Sequence, residues 1–495
     1  MLEDLLSTLP TWAWLVVVLI SLVWWYNHKP APPNYPPSPG LSLPLIGHLY
    51  LMKKDPRKNF RQWARTLGGA FSLKMGTAPF VVLNKYELIH EAFVKQGDNF
   101  SNRSSIDFFA TQMPRRLNGV LLSSGPLWKE IRSTSMTILR DLGMGKNILA
   151  EKISEVVEVY LQELSHLDGR ATNVRNLTNA CVANVICSII FGKMFELTDP
   201  LFTKQIQLFQ ELAAAFSSIS VLHFFPVLKN IPGDPFGAKH LSNLLEDIKF
   251  HTQMLSTKCV DSQNVENFLN LFLNEIKRNG VQNSRVDEEK LGVVVEDLFA
   301  AGTETTSTTL MWAMLYALHY PETQEKIYQE IVDSVGTNRS PTIYDKAKLN
   351  YLNAFIMEVQ RVTTIVPYSL SHECSQDTTV GGYTIPKGTQ VLPNLDFVHN
   401  DQQVWGDPGN FRPERFLDDH ADVISREELI PFSLGRRVCL GESLAKMELF
   451  LFLSALFQRF RLLPADPSNL PPLNGVFGVA VTPLPFDIRM VERNN

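Results

Sequence analysis

The stretch Pro431–Glu442 constrains this chain more than any other, and it reads P-F-S-L-G-R-R-V-C-L-G-E. It places Cys439 between two glycines and behind two arginines, directly before an apolar segment with helical character. Glycine lets a backbone turn tightly and approach another body closely. A thiolate near a helix N-terminus and cationic groups has a lowered pKa and is a ligand for soft or borderline metals. A lone cysteine is more often a buried structural residue, but these neighbours predict a metal-binding thiolate loop.

Five positions of this loop keep a fixed spacing, F-x-x-G-x-R-x-C-x-G, which is met at Phe432, Gly435, Arg437, Cys439 and Gly441. The pattern resembles the haem-binding loop of the cytochrome P-450 family, the haem-thiolate monooxygenases. The resemblance implies that haem b (iron protoporphyrin IX) is the cofactor and that Cys439 is the axial ligand of its iron, whose electron push favours O–O cleavage. It also implies that Phe432 shields the sulfur and that Arg437 neutralises a propionate. Gly435 and Gly441 then let the loop and the next helix lie close to the porphyrin.

The length and composition indicate one large globular body. The chain has 495 residues, of which 45% are hydrophobic and 20% charged, and no long Gly/Ser linker or internal repeat follows residue 41. We therefore expect one catalytic domain over 41–495. The net charge of −5 gives no reason to expect nucleic acid, and five irregularly spaced cysteines exclude a disulfide framework. With the resemblance, the expected fold class is mainly α with small β-sheets (α+β), the cytochrome P-450 fold with a single N-terminal transmembrane helix.

Residues 5–26 carry no charge and would form a helix about 33 Å long, enough to cross a bilayer. Tryptophans lie near both ends, acidic residues precede the segment and basic residues follow it, which orients the bulk of the chain toward the cytosol. A cleaved signal peptide would need a basic n-region and a small-residue cleavage site, and neither is present. We therefore expect a signal anchor over 1–29. Residues 30–40 carry six prolines and predict a stiff, extended hinge.

Two strand pairs are predicted after the hinge. Apolar runs over 71–75 and 80–83 flank Gly76, and runs over 380–385 and 389–392 flank a P-K-G turn. Each pair is expected to form a hairpin.

Residues 126–140 read as a helix that places Trp128 and Arg132 on one face, since they are four positions apart. An indole N–H and a guanidinium together suit an anion such as a haem propionate. The pair resembles the family's C helix, and the resemblance adds Arg103 and His372 as further propionate ligands. Many membrane-bound relatives carry proline before this histidine, whereas this chain has Ser371.

Residues 286–319 form the longest predicted helix, and its centre reads A-G-T-E-T-T from Ala301. Gly302 weakens the helix and opens room on one face, while Thr305 can bond back to the carbonyl of Ala301. Glu304 lies next to that face, so the segment predicts a groove with a hydroxyl and an acid beside it. The alternative is an amphipathic helix with incidental threonines. The motif resembles the family's oxygen-binding helix, which implies that Thr305 hydrogen-bonds dioxygen or its water and that Glu304 supplies protons.

Glu358 and Arg361 form an E-x-x-R pair in an otherwise apolar predicted helix over 351–361, and Arg415 follows in F-R-P-E-R-F. A buried ion pair must be satisfied by a third group. The three residues resemble the family's ion triad, which fixes the scaffold of the cysteine loop. Their predicted role is structural.

No G-x-G-x-x-G fingerprint is present, so electrons must come from another protein. The resemblance, most marked to microsomal family-2-type members, implies NADPH–cytochrome P-450 reductase as the donor, with cytochrome b5 as a second partner, at the endoplasmic reticulum membrane. We expect the reductase to dock through cations such as Lys129, Arg132 and Arg436. The predicted activity inserts one oxygen atom from O2 into a lipophilic small molecule (a fatty acid, steroid or xenobiotic), and the anchor contacts membrane lipid.

Two other functions are open at this point. A haem-thiolate enzyme that rearranges peroxides often lacks the acid–threonine pair that Glu304 and Thr305 supply here. A non-catalytic, membrane-tethered haem or lipid-binding protein would not need Cys439 and Thr305 intact. The aromatic region 200–225 is compatible with core packing and with a mobile lid over a lipophilic pocket.

Overall fold

The computed structural model of the chain describes residues 10–27, 31–53, 55–104, 114–145, 147–218, 220–260, 266–279 and 285–493. Helices dominate these ranges. In chain order they are α1 (Thr11–Asn27), α2 (Arg57–Leu67), α3 (Tyr86–His90), α4 (Gly125–Asp141), α5 (Asn147–Ser165), α6 (Arg175–Ile190), α7 (Pro200–Ser218), α8 (Ser220–Phe224), α9 (Ala238–Val260), α10 (Phe268–Asn279), α11 (Glu288–His319), α12 (Pro321–Ser334), α13 (Asn350–Thr363), α14 (Leu395–Val398), α15 (Gln402–Trp405) and α16 (Glu442–Arg459). Short 3-10 turns cover Leu49–Leu51, Pro114–Asn118, Pro226–Asn230, Ile343–Lys348, Pro413–Phe416 and Gly435–Arg437, and a π turn covers Glu91–Lys95.

The strands are short. They are β1 (Ala70–Met75), β2 (Ala78–Leu83), β3 (Asn102–Arg103), β4 (His372–Glu373), β5 (Thr378–Val380), β6 (Tyr383–Ile385), β7 (Gln390–Pro393), β8 (Phe460–Pro464), β9 (Gly475–Val476), β10 (Thr482–Pro483) and β11 (Ile488–Glu492). The largest sheet has the order β1–β2–β7–β4–β3, and β5–β6, β8–β11 and β9–β10 form two-stranded sheets. The prediction of a mainly α fold with small β-sheets is confirmed.

Helix α11 lies at the centre of the helical core. Its second half, residues 310–318, is buried on every face, and it packs against α6, α9, α13 and α16. Gly302 lies against α6, because a Cβ at this position would be 2.4 Å from the Ile186 Cδ1. The prediction that Gly302 widens a groove is therefore wrong: its missing side chain lets two helices approach closely.

Of the two predicted strand pairs, the first is confirmed and the second is wrong. Strands β1 and β2 pair antiparallel around Gly76, whose φ is +60°. The apolar run over 380–385 is broken by Gly381 and Gly382, which both have positive φ (+55° and +81°). The turn therefore lies between β5 and β6, and β7 pairs with β2 and β4 instead.

Helix α1 falls inside the predicted anchor, of which residues 1–9 and 28–29 lie outside the described ranges. It has 17 residues, and across the ranges given above no helix combines the length and the apolar character needed to cross a membrane. The proline-rich hinge is tied to the body. The Ser72 N–H donates to the Pro37 carbonyl (2.8 Å), and the Thr384 N–H donates to the Asn34 carbonyl (3.0 Å).

The aromatic region 200–225 forms α7 and α8. Phe202 and Phe209 are buried, and the Phe209 ring centroid is 5.1 Å from that of Phe299 in α11. The core-packing interpretation therefore holds for these two side chains, while the side chain of Phe216 lies outside the described part.

Candidate active site

The cysteine loop is shaped by one glycine that no other residue can replace without strain. Gly435 has a φ of +76°, and a Cβ there would be 1.8 Å from the carbonyl oxygen of Phe93. The loop then closes on itself, because the Cys439 N–H donates to the Phe432 carbonyl (3.0 Å). Helix α16 begins three residues after the exposed Cys439. At Gly441, which precedes α16, an added Cβ would meet no described protein atom within 4 Å, so this face of the loop can receive a flat group.

The pKa of the Cys439 thiol is raised from its ordinary value. Although the Cys439 side chain is exposed at its surface, nearby protein atoms on the other sides desolvate the thiol, and this is the largest effect. The charge of Glu442 adds to the rise, while the Gly441 N–H and Arg132 act in the opposite direction. The expectation of a lowered pKa from the helix start and the arginines is therefore wrong for the thiol by itself, because desolvation outweighs both. A coordinating metal ion removes this proton outright.

A cluster of donors lies behind the loop. The Arg437 guanidinium lies 3.8 Å from the centroid of the Trp128 ring and donates to the carbonyls of Ser101 (2.8 Å) and Ser123 (2.5 Å). The Trp128 indole N–H is buried, and no hydrogen-bond acceptor for it lies in the described ranges. Such an orphaned donor calls for an acceptor from outside the polypeptide.

Three arginines of this cluster repel one another. Burial, and then the neighbouring guanidinium groups, lower the pKa of Arg437 to about 8 and that of Arg103 to about 9. Burial also lowers the pKa of Arg132. Among the described residues, no carboxylate charge acts on any of the three. A neighbouring anion would relieve this repulsion.

His372 adds a second unsatisfied atom. Its Nδ1–H donates to the Phe100 carbonyl (2.6 Å), and its ring stacks on Phe93 with centroids 4.0 Å apart. Its Nε2 is buried, with no partner in the part of the chain that the structure describes. Burial, with Arg103 and Arg437 beside it, holds the pKa of His372 well below its ordinary value. The cluster fits a group with two carboxylates, such as the propionates of haem.

Two of these arginines also hold backbone segments. The Arg132 guanidinium donates to the Val438 carbonyl (2.7 Å), directly before the cysteine. The Arg103 guanidinium donates to the carbonyls of Leu370 (2.9 Å) and Ser371 (3.1 Å). The residue that replaces the usual proline therefore uses its backbone to accept from Arg103.

On α11, the Thr305 hydroxyl donates to the Ala301 carbonyl (2.7 Å), as predicted, and Ala301 is exposed. Glu304 is one residue, or about 100°, further around the helix. It accepts from the Thr308 hydroxyl (3.4 Å), and burial raises its pKa while Arg175 of α6 opposes the shift. The acid is thus oriented toward Arg175 and Thr308, on a different face from the hydroxyl.

The structure brings the three members of the predicted ion triad together. The Glu358 carboxylate accepts from Arg361 Nε (2.7 Å) and from Arg415 Nε (3.0 Å). Arg361 and Glu358 are fully buried, and Arg415 nearly so. Arg361 also donates to the carbonyls of His399 (2.8 Å) and Pro408 (3.1 Å), so the triad joins α13 to the segment that leads to the cysteine loop.

Sequence reasoning missed two buried polar groups near the site. The Glu448 carboxylate of α16 accepts from the Thr306 hydroxyl of α11 (3.1 Å), and burial raises its pKa to about 8. Glu296 of α11 accepts from Arg115 (2.8 Å) and Arg116 (2.7 Å). For Glu448, the sequence signal is a glutamate inside the apolar run M-E-L-F-L-F.

A cysteine presented at a helix start, beside donors that lack an anion, fits the site of a haem-thiolate protein. The family model for Cytochrome P450 matches residues 36–490. The chain is 38% identical over 438 residues to Cytochrome P450 2U1 of Homo sapiens, covering 87% of this chain and 80% of that protein. It is 36% identical over 488 residues to Cytochrome P450 2D14 of Bos taurus, covering 97% of both. It is 37% identical over 467 residues to Cytochrome P450 2D20 of Mesocricetus auratus, covering 93% of both.

The chain therefore belongs to the cytochrome P450 family, and its cofactor is haem. The expectation of a family-2-type member is confirmed, since these relatives carry family-2 names. Haem-thiolate monooxygenase chemistry follows from the family. The roles of the individual site residues stay predictions.

Proposed function

We propose that this protein is a membrane-bound monooxygenase that inserts one oxygen atom from O2 into a lipophilic small molecule, with electrons from NADPH delivered by NADPH–cytochrome P-450 reductase. The observation that carries the proposal is the combination of an exposed Cys439 with the orphaned indole donor of Trp128 and the unpartnered Nε2 of His372. That Nε2 becomes a donor when a neighbouring carboxylate raises the pKa of the imidazole. That combination suits one ligand bound through its centre and through its carboxylates. Haem, when bound, supplies the oxidation chemistry.

The polypeptide would then do four things. Cys439 would ligate the iron, while Phe432, Gly435 and Gly441 shape its loop. The propionates would be held by Trp128, Arg132, Arg437, His372 and Arg103. Thr305 would hold a proton or a water at its hydroxyl beside Ala301, and Glu304 would exchange protons from its neighbouring face. The triad of Glu358, Arg361 and Arg415 would keep the loop in place.

The test of the central claim is the reduced, carbon-monoxide difference spectrum. We expect the thiolate-type Soret band in the wild type and its loss in Cys439→Ala. Cys374→Ala, a change at a buried cysteine in the sheet region, is the matched control and should keep the band. A folded, haem-loaded wild type without the thiolate band would refute the proposal. NADPH consumption with reductase and a candidate lipid, with product formed, separates a monooxygenase from a non-catalytic haem protein.

For the reductase, we propose docking through Lys129 and Arg436. Lys129 is exposed, and Arg436 is 48% exposed and paired with Asp98 (2.5 Å). Arg132 is a weaker contributor than the sequence suggests, because its guanidinium donates inward to Val438. Reversing both exposed charges (Lys129→Glu and Arg436→Glu) should lower reductase-driven turnover several-fold at low salt and less at high salt.

Two controls make the docking test specific. Dithionite-driven formation of the carbon-monoxide complex should be unaffected, because no partner takes part. Lys387→Glu, on an exposed turn after β6, should leave reductase-driven turnover unchanged. Equal turnover in the reversed variant and the wild type would refute this surface.

We propose that residues 5–26 anchor the protein in the endoplasmic reticulum membrane with the body in the cytosol. The exposed apolar side chains of α1, such as Leu15, Ile20 and Trp25, support this placement, because they do not pack against the body. The four sequons at Asn99, Asn102, Asn176 and Asn338 should stay unglycosylated in cells. Glycan addition at any of them, or release from microsomes by alkaline carbonate, would contradict it.

A further inference from the structure

His399 lies between the ion triad and the cysteine loop and is fully buried. Its carbonyl accepts from Arg361 of the triad (2.8 Å). Its Nε2 lies 2.9 Å from the Ile430 backbone nitrogen. A backbone N–H can only donate, so Nε2 is the acceptor and Nδ1 carries the proton. The Nδ1–H then donates to the Thr364 hydroxyl (2.9 Å).

Thr364 links the imidazole back to the triad helix. Its hydroxyl donates to the Arg361 carbonyl (2.7 Å), and its backbone ends α13 in the left-handed region, with a φ of +36°. A non-glycine residue is uncommon in that region and needs the surrounding structure to hold it there. The hydrogen bonds of Arg361, Thr364 and His399 thus form one closed network at the end of α13.

Ile430 links the same imidazole to the metal ligand. It is the residue before Pro431, and its carbonyl accepts from the Ser433 N–H (3.0 Å). Two residues on, the Phe432 carbonyl accepts from the Cys439 N–H (3.0 Å). A shift of Ile430 therefore moves the carbonyl that orients the cysteine backbone.

We infer that His399 is a positioning residue, which holds the cysteine loop at the place that the triad sets. Burial and the nearby Arg361 lower the pKa of His399 to about 3. The imidazole therefore stays neutral at physiological pH and keeps one hydrogen-bond donor and one acceptor, as this role requires. His399 does not touch the reacting groups. The inference depends on the proposed haem-thiolate function only for the carbon-monoxide spectrum; the hydrogen-exchange measurement does not depend on it.

The test compares His399→Phe, which keeps a ring of similar size but removes both hydrogen bonds, with Gln324→Met. Gln324 is a buried bridge elsewhere, whose side chain accepts from the Leu462 N–H (2.6 Å) and donates to the Leu462 carbonyl (3.1 Å). Its substitution therefore removes two buried hydrogen bonds in which no residue of the cysteine loop takes part. Each variant is examined as the haem-loaded protein by amide hydrogen exchange and by the reduced carbon-monoxide spectrum.

In His399→Phe we expect the amides of Ile430 and Cys439 to exchange about tenfold faster, the scale of one lost hydrogen bond. A larger share of the reduced protein should show the Soret band of a protonated or displaced thiol. Gln324→Met should change neither. Unchanged exchange and spectrum in a folded His399→Phe, or equal changes in Gln324→Met, would overturn the inference.

A second pair of variants keeps the test valid if His399→Phe does not fold. Thr364→Val keeps the shape of the side chain but removes the hydroxyl that accepts from the imidazole, whereas Thr364→Ser keeps that hydroxyl. Faster exchange at Ile430 in the valine variant alone supports the network, and equal behaviour of the two variants refutes it. Because exchange is read independently of turnover, a failure of the proposed monooxygenase function would remain distinguishable.

Discussion

Replacing Glu448 by glutamine should stabilise this protein at neutral pH. The carboxyl is fully buried in α16, with one oxygen accepting from Thr306 and the other without a partner in the described ranges. Burial raises its pKa from 4.5 to about 8. The folded protein therefore holds this proton more tightly than the unfolded chain does, and stability that is present below pH 4.5 is lost as the pH rises toward 8.

The size of this effect follows from the two pKa values. One unit of pKa shift corresponds to about 1.4 kcal/mol, so the full loss is about 5 kcal/mol, of which roughly 2–3 kcal/mol falls between pH 5.5 and 7.5. Glutamine cannot ionise, and its amide oxygen can still accept from Thr306. With an unfolding entropy of about 2.1 cal/mol/K per residue, a chain of this length gains about 1 °C in Tm per kcal/mol.

The assay is the difference in Tm between Glu448→Gln and the wild type, at equal haem content, measured at pH 5.5 and 7.5. We expect this difference to grow by about 2–3 °C toward pH 7.5, by the conversion above. Glu246→Gln, on the exposed face of α9, is the control and should run parallel to the wild type. A constant difference for Glu448→Gln, or an infrared carboxylate band from Glu448 at pH 6, would refute the reasoning.

Three further substitutions test the site. Gly435→Ala places a Cβ 1.8 Å from the Phe93 oxygen and should abolish the thiolate Soret band, whereas Gly388→Ala, with a φ of +80° and open space, should cost only about 1–2 kcal/mol of stability. Trp128→Phe removes the orphaned indole donor and should speed haem transfer to apomyoglobin about tenfold or more, since a hydrogen bond to a charged group contributes roughly 1.5–3 kcal/mol. Glu358→Gln leaves two buried arginines without their carboxylate and should lower the free energy of unfolding by about 3–5 kcal/mol, measured by denaturant unfolding at equal haem content.

Much of the site could be predicted because its signals are local in the sequence. The cysteine loop depends on residues spaced within ten positions, and the Thr305 back-bond depends on a carbonyl one helical turn away. The ion triad needed one long-range partner, Arg415, and the resemblance to a family supplied it. The predicted class of fold came from the same resemblance.

The wrong predictions concern features whose conformation or role is determined by contacts between residues far apart in the sequence. No local pattern indicates which helix faces Gly302, so the sequence predicts a groove at the position where the structure places Ile186. The run over 380–385 has strand composition, but the two glycines inside it form the turn. Strand β7 then pairs with β2, which lies more than 300 residues earlier in the chain, and with β4, which lies about 20 residues earlier. His399 carried no signal, because its role depends on partners at Thr364 and Ile430.

The three arginines of the site have hydrogen-bond acceptors in the polypeptide but no neighbouring carboxylate among the described residues. Burial lowers the pKa values of Arg103, Arg132 and Arg437, and repulsion from neighbouring guanidinium groups lowers those of Arg103 and Arg437 further. Each still donates to backbone carbonyls, so the cluster is held in place by the fold rather than by a counter-charge. A dianionic ligand placed among them gains from three fixed guanidinium groups without the reorganisation that flexible surface residues would need. The same donors fix Val438 and Ser371, so an anion that neutralises them also steadies the residue before the cysteine and the residue before His372.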